Sequence, residues 1–288
     1  MQRVIITGAS SGIGTALARH YAQRGAVLGL IARRKTELEQ LAAKLPTPVH
    51  IYPADVRDAL ALQAVAADFL ARHGSPDIVI ANAGVSTGTL TEFAEDLAAF
   101  QEVIDINVMG MVKTFQPFLA AMRAAGHGTL VGIASVAGYR GLPGAAAYSA
   151  SKAAVISYLE SLRVELAASG IKVITLCPGY IATPMTAMNP YPMPFLLGAD
   201  AAARKIAVII DRGQTFAVIP WQMAIVARVL HVLPNWLYDR LFGSATRYST
   251  VTDFARLRGL STSLPRASAA WYASSCSGTT CRIGDSAP

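Results

Sequence analysis

Charge is scarce in this chain. Asp, Glu, Lys and Arg make up only 15 % of its 288 residues, against 53 % hydrophobic. That balance excludes a disordered polar chain and requires a large buried core. Cysteine is scarcer still. Cys177, Cys276 and Cys281 are the full set, with no spacing suited to a disulfide framework or a metal site. No secretory leader precedes the first strand-like run, so a reducing cytoplasm is the expected location. The longest charge-free stretch follows Lys172, but Pro178, Pro184, Pro190, Pro192 and Pro194 interrupt it. It cannot be one membrane-spanning helix. No basic block exceeds Arg33-Arg34-Lys35, and much of the net charge of +7 sits near the end, where Arg256, Arg258, Arg266 and Arg282 face only Asp285. Nucleic acid is therefore not an expected partner. Internal repeats are absent as well.

What the chain does have is alternation. Apolar runs at 3–7, 26–32, 49–54, 77–82, 128–135, 171–177 and 214–220 read as buried strands. Helical patterns fall between them near 13–24, 35–44, 58–72, 97–125, 149–168 and 200–212. Strands that are apolar throughout and alternate with helices predict an α/β fold, a doubly wound parallel sheet of the Rossmann type covered on both faces. Such sheets bind ligands beyond the carboxyl ends of their strands.

Two motifs carry chemistry at those ends. The segment "TGASSGIG", residues 7–14, joins the first strand to the first helix. Gly8, Gly12 and Gly14 allow a tight turn and close backbone approach, and the helix start offers free N–H groups to a pyrophosphate. The spacing differs from G-x-G-x-x-G. The second motif, "YSASK" at 148–152, sets Tyr148 and Lys152 one helical turn apart on one face. A neighbouring ammonium favours the phenolate and is expected to lower the tyrosine pKa, which lets a weak acid trade a proton at neutral pH.

Together these motifs identify the chain as resembling the short-chain dehydrogenase/reductase family, in its simple one-domain branch, over roughly residues 1–220. Further matches stand in the family's order: Asn82, Ala83 and Gly84 in "NAG", Asn107 in "DINVMG", Ser135 thirteen residues before Tyr148, and Pro178, Gly179, Ile181 and Thr183 in "PGYIATPM". The resemblance implies a catalytic tetrad of Asn107, Ser135, Tyr148 and Lys152. Tyr148 exchanges a proton with the carbonyl or alcohol oxygen, and Ser135 hydrogen-bonds the same oxygen. Lys152 supplies positive charge, alongside an oxidised nicotinamide, and bonds the nicotinamide ribose. Asn107 anchors a water that reconnects Lys152 to solvent, or stabilises a helix kink, or does both.

The resemblance also implies cofactor contacts from Gly8, Ser10, Ser11, Gly12, Ile13, Gly14, the NAG segment and the segment at 178–183. Asp55 is expected to face the adenine, with Val56 beside it. Folds that prefer NAD place an acid at the end of the second strand. Here that position is Ala32, followed by Arg33. An arginine matches a 2′-phosphate, so NADP(H) is the expected cofactor, although the glycine loop lacks the basic residue found in many NADP-using relatives.

Residues 184–199, with three methionines, Tyr191 and Phe195, read as an adaptable apolar lid over a small apolar carbonyl or alcohol. Residues 221–258 add an apolar helical extension beyond the sheet, where Trp221, Ile225, Val229, Val232 and Leu233 recur at helical spacing. Pocket cover, subunit contact in a homo-oligomer, peripheral attachment to a membrane surface and simple packing all fit that pattern. Residues 259–288 read as a flexible tail. A non-catalytic nucleotide-sensing protein on the same fold is the alternative, and loss of a tetrad member would favour it. A sugar-nucleotide epimerase shares the YxxxK pair but differs in glycine spacing.

Overall fold

The computed structural model describes residues 1–187 and 192–242. The 259–288 segment, the last part of the expected extension and part of the lid, Met188 and Tyr191 included, therefore lie outside the described residues.

Seven apolar segments become strands, because β-branched and leucine side chains bury well on both faces of a parallel sheet. They are β1 (Arg3–Thr7), β2 (Val27–Ala32), β3 (Val49–Pro53), β4 (Ile78–Ala81), β5 (Gly128–Ile133), β6 (Ile171–Pro178) and, after a short pair described below, β9 (Phe216–Ile219). Their order across the sheet is β3-β2-β1-β4-β5-β6-β9, with every pairing parallel. The chain thus runs outward from β1 to one edge, then crosses to β4 and runs to the other. The switch point between β1 and β4 opens a crevice at the carboxyl ends of both strands.

Helices α1 (Gly12–Gln23), α2 (Lys35–Ala42), α3 (Ala59–His73), α4 (Asp96–Ile104), α5 (Gly110–Ala125), α6 (Ala146–Glu165) and α8 (Ala199–Asp211) make the crossovers. Two apolar cores result, one on each face of the sheet. Leu17, Tyr21 and Ile206 fill one, while Phe69, Phe115, Phe118 and Leu159 fill the other. The long helix expected at 97–125 is not uniform. A π-helical turn, Asp105–Met109, separates α4 from α5 and buries Asn107 completely. Widened turns of this kind occur mostly at functional sites.

After β6 the chain forms β7 (Ile181–Ala182) and the short helix α7 (Pro184–Ala187), and β8 (Leu197–Gly198) then pairs with β7. This pairing closes the base of the expected lid. Met185, Phe195 and Leu196 there are about half exposed, and Phe195 adopts a left-handed φ of 58°.

The extension at 221–242 is a pair of helices, α9 (Trp221–Val232) and α10 (Asn235–Phe242). Pro234 breaks it, since proline lacks the N–H and disfavours helix in the residue before it. Only Met223, Ala227 and Tyr238 of the pair are buried. Trp221, Ile225, Val229, Val232 and Trp236 stand 53–76 % exposed. Of the readings open for this extension, simple packing within the chain therefore does not account for these five side chains. Among the described residues no helix is long and apolar enough to cross a membrane.

Candidate active site

Strand ends and the helices after them build the site. At the end of β1, Gly8 has φ 67°, and a Cβ there would lie 2.9 Å from Ala83 Cα and from Asn82 Nδ2. A Cβ on Gly14 would run into the Gly8 carbonyl. The loop is therefore pressed onto the segment after β4, and glycine alone permits it. Thr7 ties the two together. Its Oγ1 accepts from the Asn82 and Ala83 N–H groups at 3.0 and 3.1 Å, while Asn82 Nδ2 donates to the Thr7 carbonyl at 3.0 Å. The Asn82 side chain thus braces the glycine loop. Thr7 was not singled out in the sequence, where a strand-end threonine carries no distinctive signal.

On the open side, Ser11 caps α1 without using its hydroxyl on the helix. The first-turn N–H groups of Gly12, Ile13 and Gly14 have no intrahelical partner to find. Thr183 closes this corner, with its Cγ2 3.1 Å from where a Gly12 Cβ would stand. Ile181 is buried in the short β7–β8 pair. This cradle, lined by glycine backbone, first-turn N–H groups and small hydroxyl side chains, fits a pyrophosphate.

Basic side chains flank the cradle beyond β2. Arg33 is half exposed and approaches Asp55 only to 4.0 Å. Arg34 reaches back to the glycine loop, where its Nη2 donates to Ser10 Oγ at 3.0 Å, with Glu37 3.4 Å from its other branch. Sequence reasoning missed Arg34, although two consecutive arginines were visible. What could not be read was that the second one turns back to the glycine loop. The Asp55 carboxylate is already engaged: Arg57 donates to it through its N–H at 2.9 Å and its side chain at 2.7 and 3.0 Å. Burial pushes this carboxyl up, but those bonds outweigh it and hold the group below its ordinary range. Val56 is buried, with its Cγ2 2.7 Å from the place of a Gly110 Cβ, so its side chain packs on the start of α5.

The four expected catalytic residues converge past the ends of β4, β5 and β6. Asn107 is clamped from three directions. Its Oδ1 accepts from the Val85 N–H at 2.8 Å, and its Nδ2 donates to the Val85 carbonyl and to Ser151 Oγ, both at 2.9 Å. The buried Ser151 sits beside Lys152 on α6 and donates in turn to the Tyr148 carbonyl at 2.7 Å. Gly84 is the point of closest gathering, where a Cβ would lie 3.1 Å from Asn107 Oδ1 and 3.6 Å from Lys152 Nζ. Ser135 is buried at the end of β5, where its Oγ accepts from the Ala137 N–H at 3.1 Å and faces the Pro178 carbonyl at 3.5 Å.

Lys152 is buried, and its Nζ donates to the Ile133 carbonyl at 2.8 Å. Burial pushes the ammonium down to about 8. Nζ lies 5.7 Å from the centroid of the Tyr148 ring. The expected lowering of the Tyr148 phenol is not what the chain alone produces. Burial pushes it up, and the Ser135 hydroxyl opposes this only in part. Desolvation of the phenolate outweighs the attraction of an ammonium that is itself desolvated and turned toward a carbonyl. Burial thus makes the phenol a weaker acid in the chain alone, and a positive charge beside it is what would ease the loss of its proton. Among the described residues no cluster of three His, Cys, Asp or Glu side chains could hold a metal ion.

A parallel sheet with its switch-point cradle, joined to buried Ser135, Lys152 and Asn107 and a half-buried Tyr148, defines a nicotinamide-dependent oxidoreductase. The family described as short chain dehydrogenase matches residues 2–191, and the chain belongs to it. It is 39 % identical over 238 residues to an uncharacterized oxidoreductase of Myxococcus xanthus (strain DK1622), covering 82 % of this chain and 94 % of that one. Two solved structures share the fold. A short chain dehydrogenase/reductase from Burkholderia phymatum in complex with NAD has a TM-score of 0.73 and 26 % identity, covering 80 % of this chain and 92 % of its own. An alcohol dehydrogenase from the archaeon Thermococcus sibiricus, complexed with 5-hydroxy-NADP, has a TM-score of 0.68 and 25 % identity, covering 76 % and 96 %.

Proposed function

We propose that the chain is an NADP(H)-dependent oxidoreductase that interconverts a carbonyl and a secondary alcohol on a small apolar substrate. When bound, the nicotinamide supplies or accepts the hydride. Tyr148 gives its proton to the substrate oxygen in the reductive direction. Ser135 Oγ donates to the same oxygen as negative charge develops there. Lys152 favours the phenolate left behind. The Asn107–Ser151 clamp holds α6 and the segment after β4 in register, which fixes Tyr148 and Lys152 relative to the cradle.

The single observation that carries the cofactor reading is the pair of arginines beyond β2. Ala32 ends that strand with no carboxylate, Arg34 reaches Ser10 of the glycine loop, and Arg33 stands half exposed near Asp55. One solved relative holds NAD and another 5-hydroxy-NADP, so the choice rests on these residues. Substituting Arg33→Ala and Arg34→Ala together is expected to weaken NADPH by about 2–5 kcal/mol where the 2′-phosphate is well enclosed, and less at an open rim, with NADH little changed. Fluorescence titration of both cofactors reads this directly. Equal loss for the two would reduce the arginines to loop supports.

The half-exposed Met185, Phe195 and Leu196 near the β7–β8 pair favour an apolar substrate. A panel of a ketosteroid, a long-chain keto ester and benzaldehyde tests this by consumption of NADPH. A preference for the most polar member would count against the lid.

The Lys152 ammonium also sets a pH limb. Its folded pKa lies below the ordinary lysine value, so the charge is kept below about 8 and given up as pH rises through that point. For carbonyl reduction, kcat/KM is expected to fall on the alkaline side with its midpoint near 8. A flat profile across that range would mean that Lys152 acts without its charge.

A further inference from the structure

The helix pair α9–α10 buries only three side chains, yet it is fastened to the catalytic loop by a dense set of polar contacts. That loop, residues 136–145, joins Ser135 to the helix carrying Tyr148. Arg140 lies at its centre. Its Nη1 donates to the Leu230 and His231 carbonyls at 3.0 and 3.4 Å and to the Leu233 carbonyl at 2.6 Å. Its Nη2 donates to Asn235 Oδ1 at 2.8 Å. These carbonyls belong to the C-terminal turn of α9, where no intrahelical donors remain and a cation is favoured. The guanidinium lies 4.3 Å from the centroid of the Tyr238 ring, and the Tyr238 hydroxyl donates to the Gly141 carbonyl at 2.6 Å. His231 Nδ1 lies 2.9 Å from the Tyr139 carbonyl. Three consecutive residues, Tyr139 to Gly141, are thus each tied to the extension.

The other end of α9 meets the opposite wall of the site. Met223 packs on Gly179, close enough that a Cβ on this glycine would collide with it. Gly179 follows Pro178, whose carbonyl faces Ser135 Oγ. Helix α9 therefore spans from the turn after β6 to the loop after Ser135, and Arg140 closes its far end.

We propose that Arg140 is a positioning residue for catalysis, acting as the clasp through which α9 and α10 hold the Ser135–Tyr148 loop in its working geometry. The proposal rests on the oxidoreductase reading above and adds a role for the C-terminal pair. Small displacements of reacting groups are costly to rate, with about 1 Å enough for losses on the order of 10²-fold. Loosening the clasp should therefore lower kcat rather than weaken the cofactor, whose cradle lies on β1, β2 and β4.

The test compares wild type, Arg140→Met and Tyr238→Phe as full-length chains, using NADPH and the panel carbonyl that wild type reduces fastest. Arg140→Met is expected to lower kcat about tenfold or more with Kd for NADPH unchanged, and to speed amide hydrogen exchange across 136–145. Tyr238→Phe removes only the bond to Gly141 and is expected to cost about fivefold in kcat, with faster exchange at 139–142. It serves alone if Arg140→Met fails to fold. A lowered melting temperature with unchanged kcat, measured well below melting, would overturn the proposal and leave Arg140 a structural residue only. Should wild type reduce no panel carbonyl, the oxidoreductase reading fails separately. Exchange across 136–145 then decides the clasp, and unchanged protection in both variants overturns it.

Discussion

Replacing Tyr148 with phenylalanine is expected to abolish turnover while leaving NADPH binding intact. The substitution removes one hydroxyl and keeps the ring, which is half-buried on α6 beside Ser149 and Ser151. Its phenol is the one the Ser135 hydroxyl faces, which lowers its pKa against the effect of burial. The loss should be about 10²–10⁴-fold in rate, the usual contribution of a positioned acid–base group, or about 3–5 kcal/mol in barrier height. The Ser151 bond to the backbone carbonyl at 148 does not involve the hydroxyl, so the Asn107 clamp should survive. Steady-state rates and fluorescence titration on the same preparation separate the two effects. A variant that keeps more than half of the wild-type rate would remove Tyr148 from the proton-transfer role.

Truncation after Pro220 is expected to have the next largest effect. It deletes α9 and α10, leaves Arg140 without its four acceptors, and opens Gly179 where Met223 now packs. NADPH should still bind, because the glycine loop, its brace at Thr7 and the two arginines lie in the first half of the chain. Activity on apolar carbonyls should fall on the order of tenfold or more as the catalytic loop loosens. The truncation also removes the exposed stripe of Trp221, Ile225, Val229, Val232 and Trp236. Contiguous exposed apolar faces of that kind mark interaction surfaces, so a changed assembly state is expected by light scattering. A truncated chain that is soluble, unchanged in assembly and fully active would deprive residues 221–242 of these roles.

The sheet was legible because its strands are short, mostly apolar runs rich in Val, Ile and Leu that alternate with helical patterns. Each strand of the seven-stranded sheet starts and ends within about two residues of its apolar run, while the short β7–β8 pair matches none of them. A kink at Asn107 was among the expectations, but the π-helical form it takes at 105–109 was not legible in "DINVM". Its cause is tertiary: Asn107 is pulled inward by the Val85 backbone and Ser151. The break at Pro234 could have been read from its proline.

The site shows the same division. Residues held by backbone shape, such as Gly8 and Gly14, follow from their place between a strand and a helix. Side-chain partnerships between distant loops do not. Arg34 reaching Ser10 and Arg140 closing on α9 each depend on loop paths that no local pattern encodes. The direction of the Tyr148 shift was misread for a related reason. Spacing along a helix tells how near Lys152 stands, but burial decides how strongly each charge is penalised.

The most direct test of the central claim follows an isotope. The enzyme is supplied with NADPH carrying deuterium at the transferable position of its nicotinamide, together with the best panel carbonyl, and the alcohol formed is analysed by mass spectrometry. The account predicts deuterium on the former carbonyl carbon of the product with wild type, and none above background with Tyr148→Phe. NADPH that binds tightly yet delivers no deuterium to any panel carbonyl would contradict it.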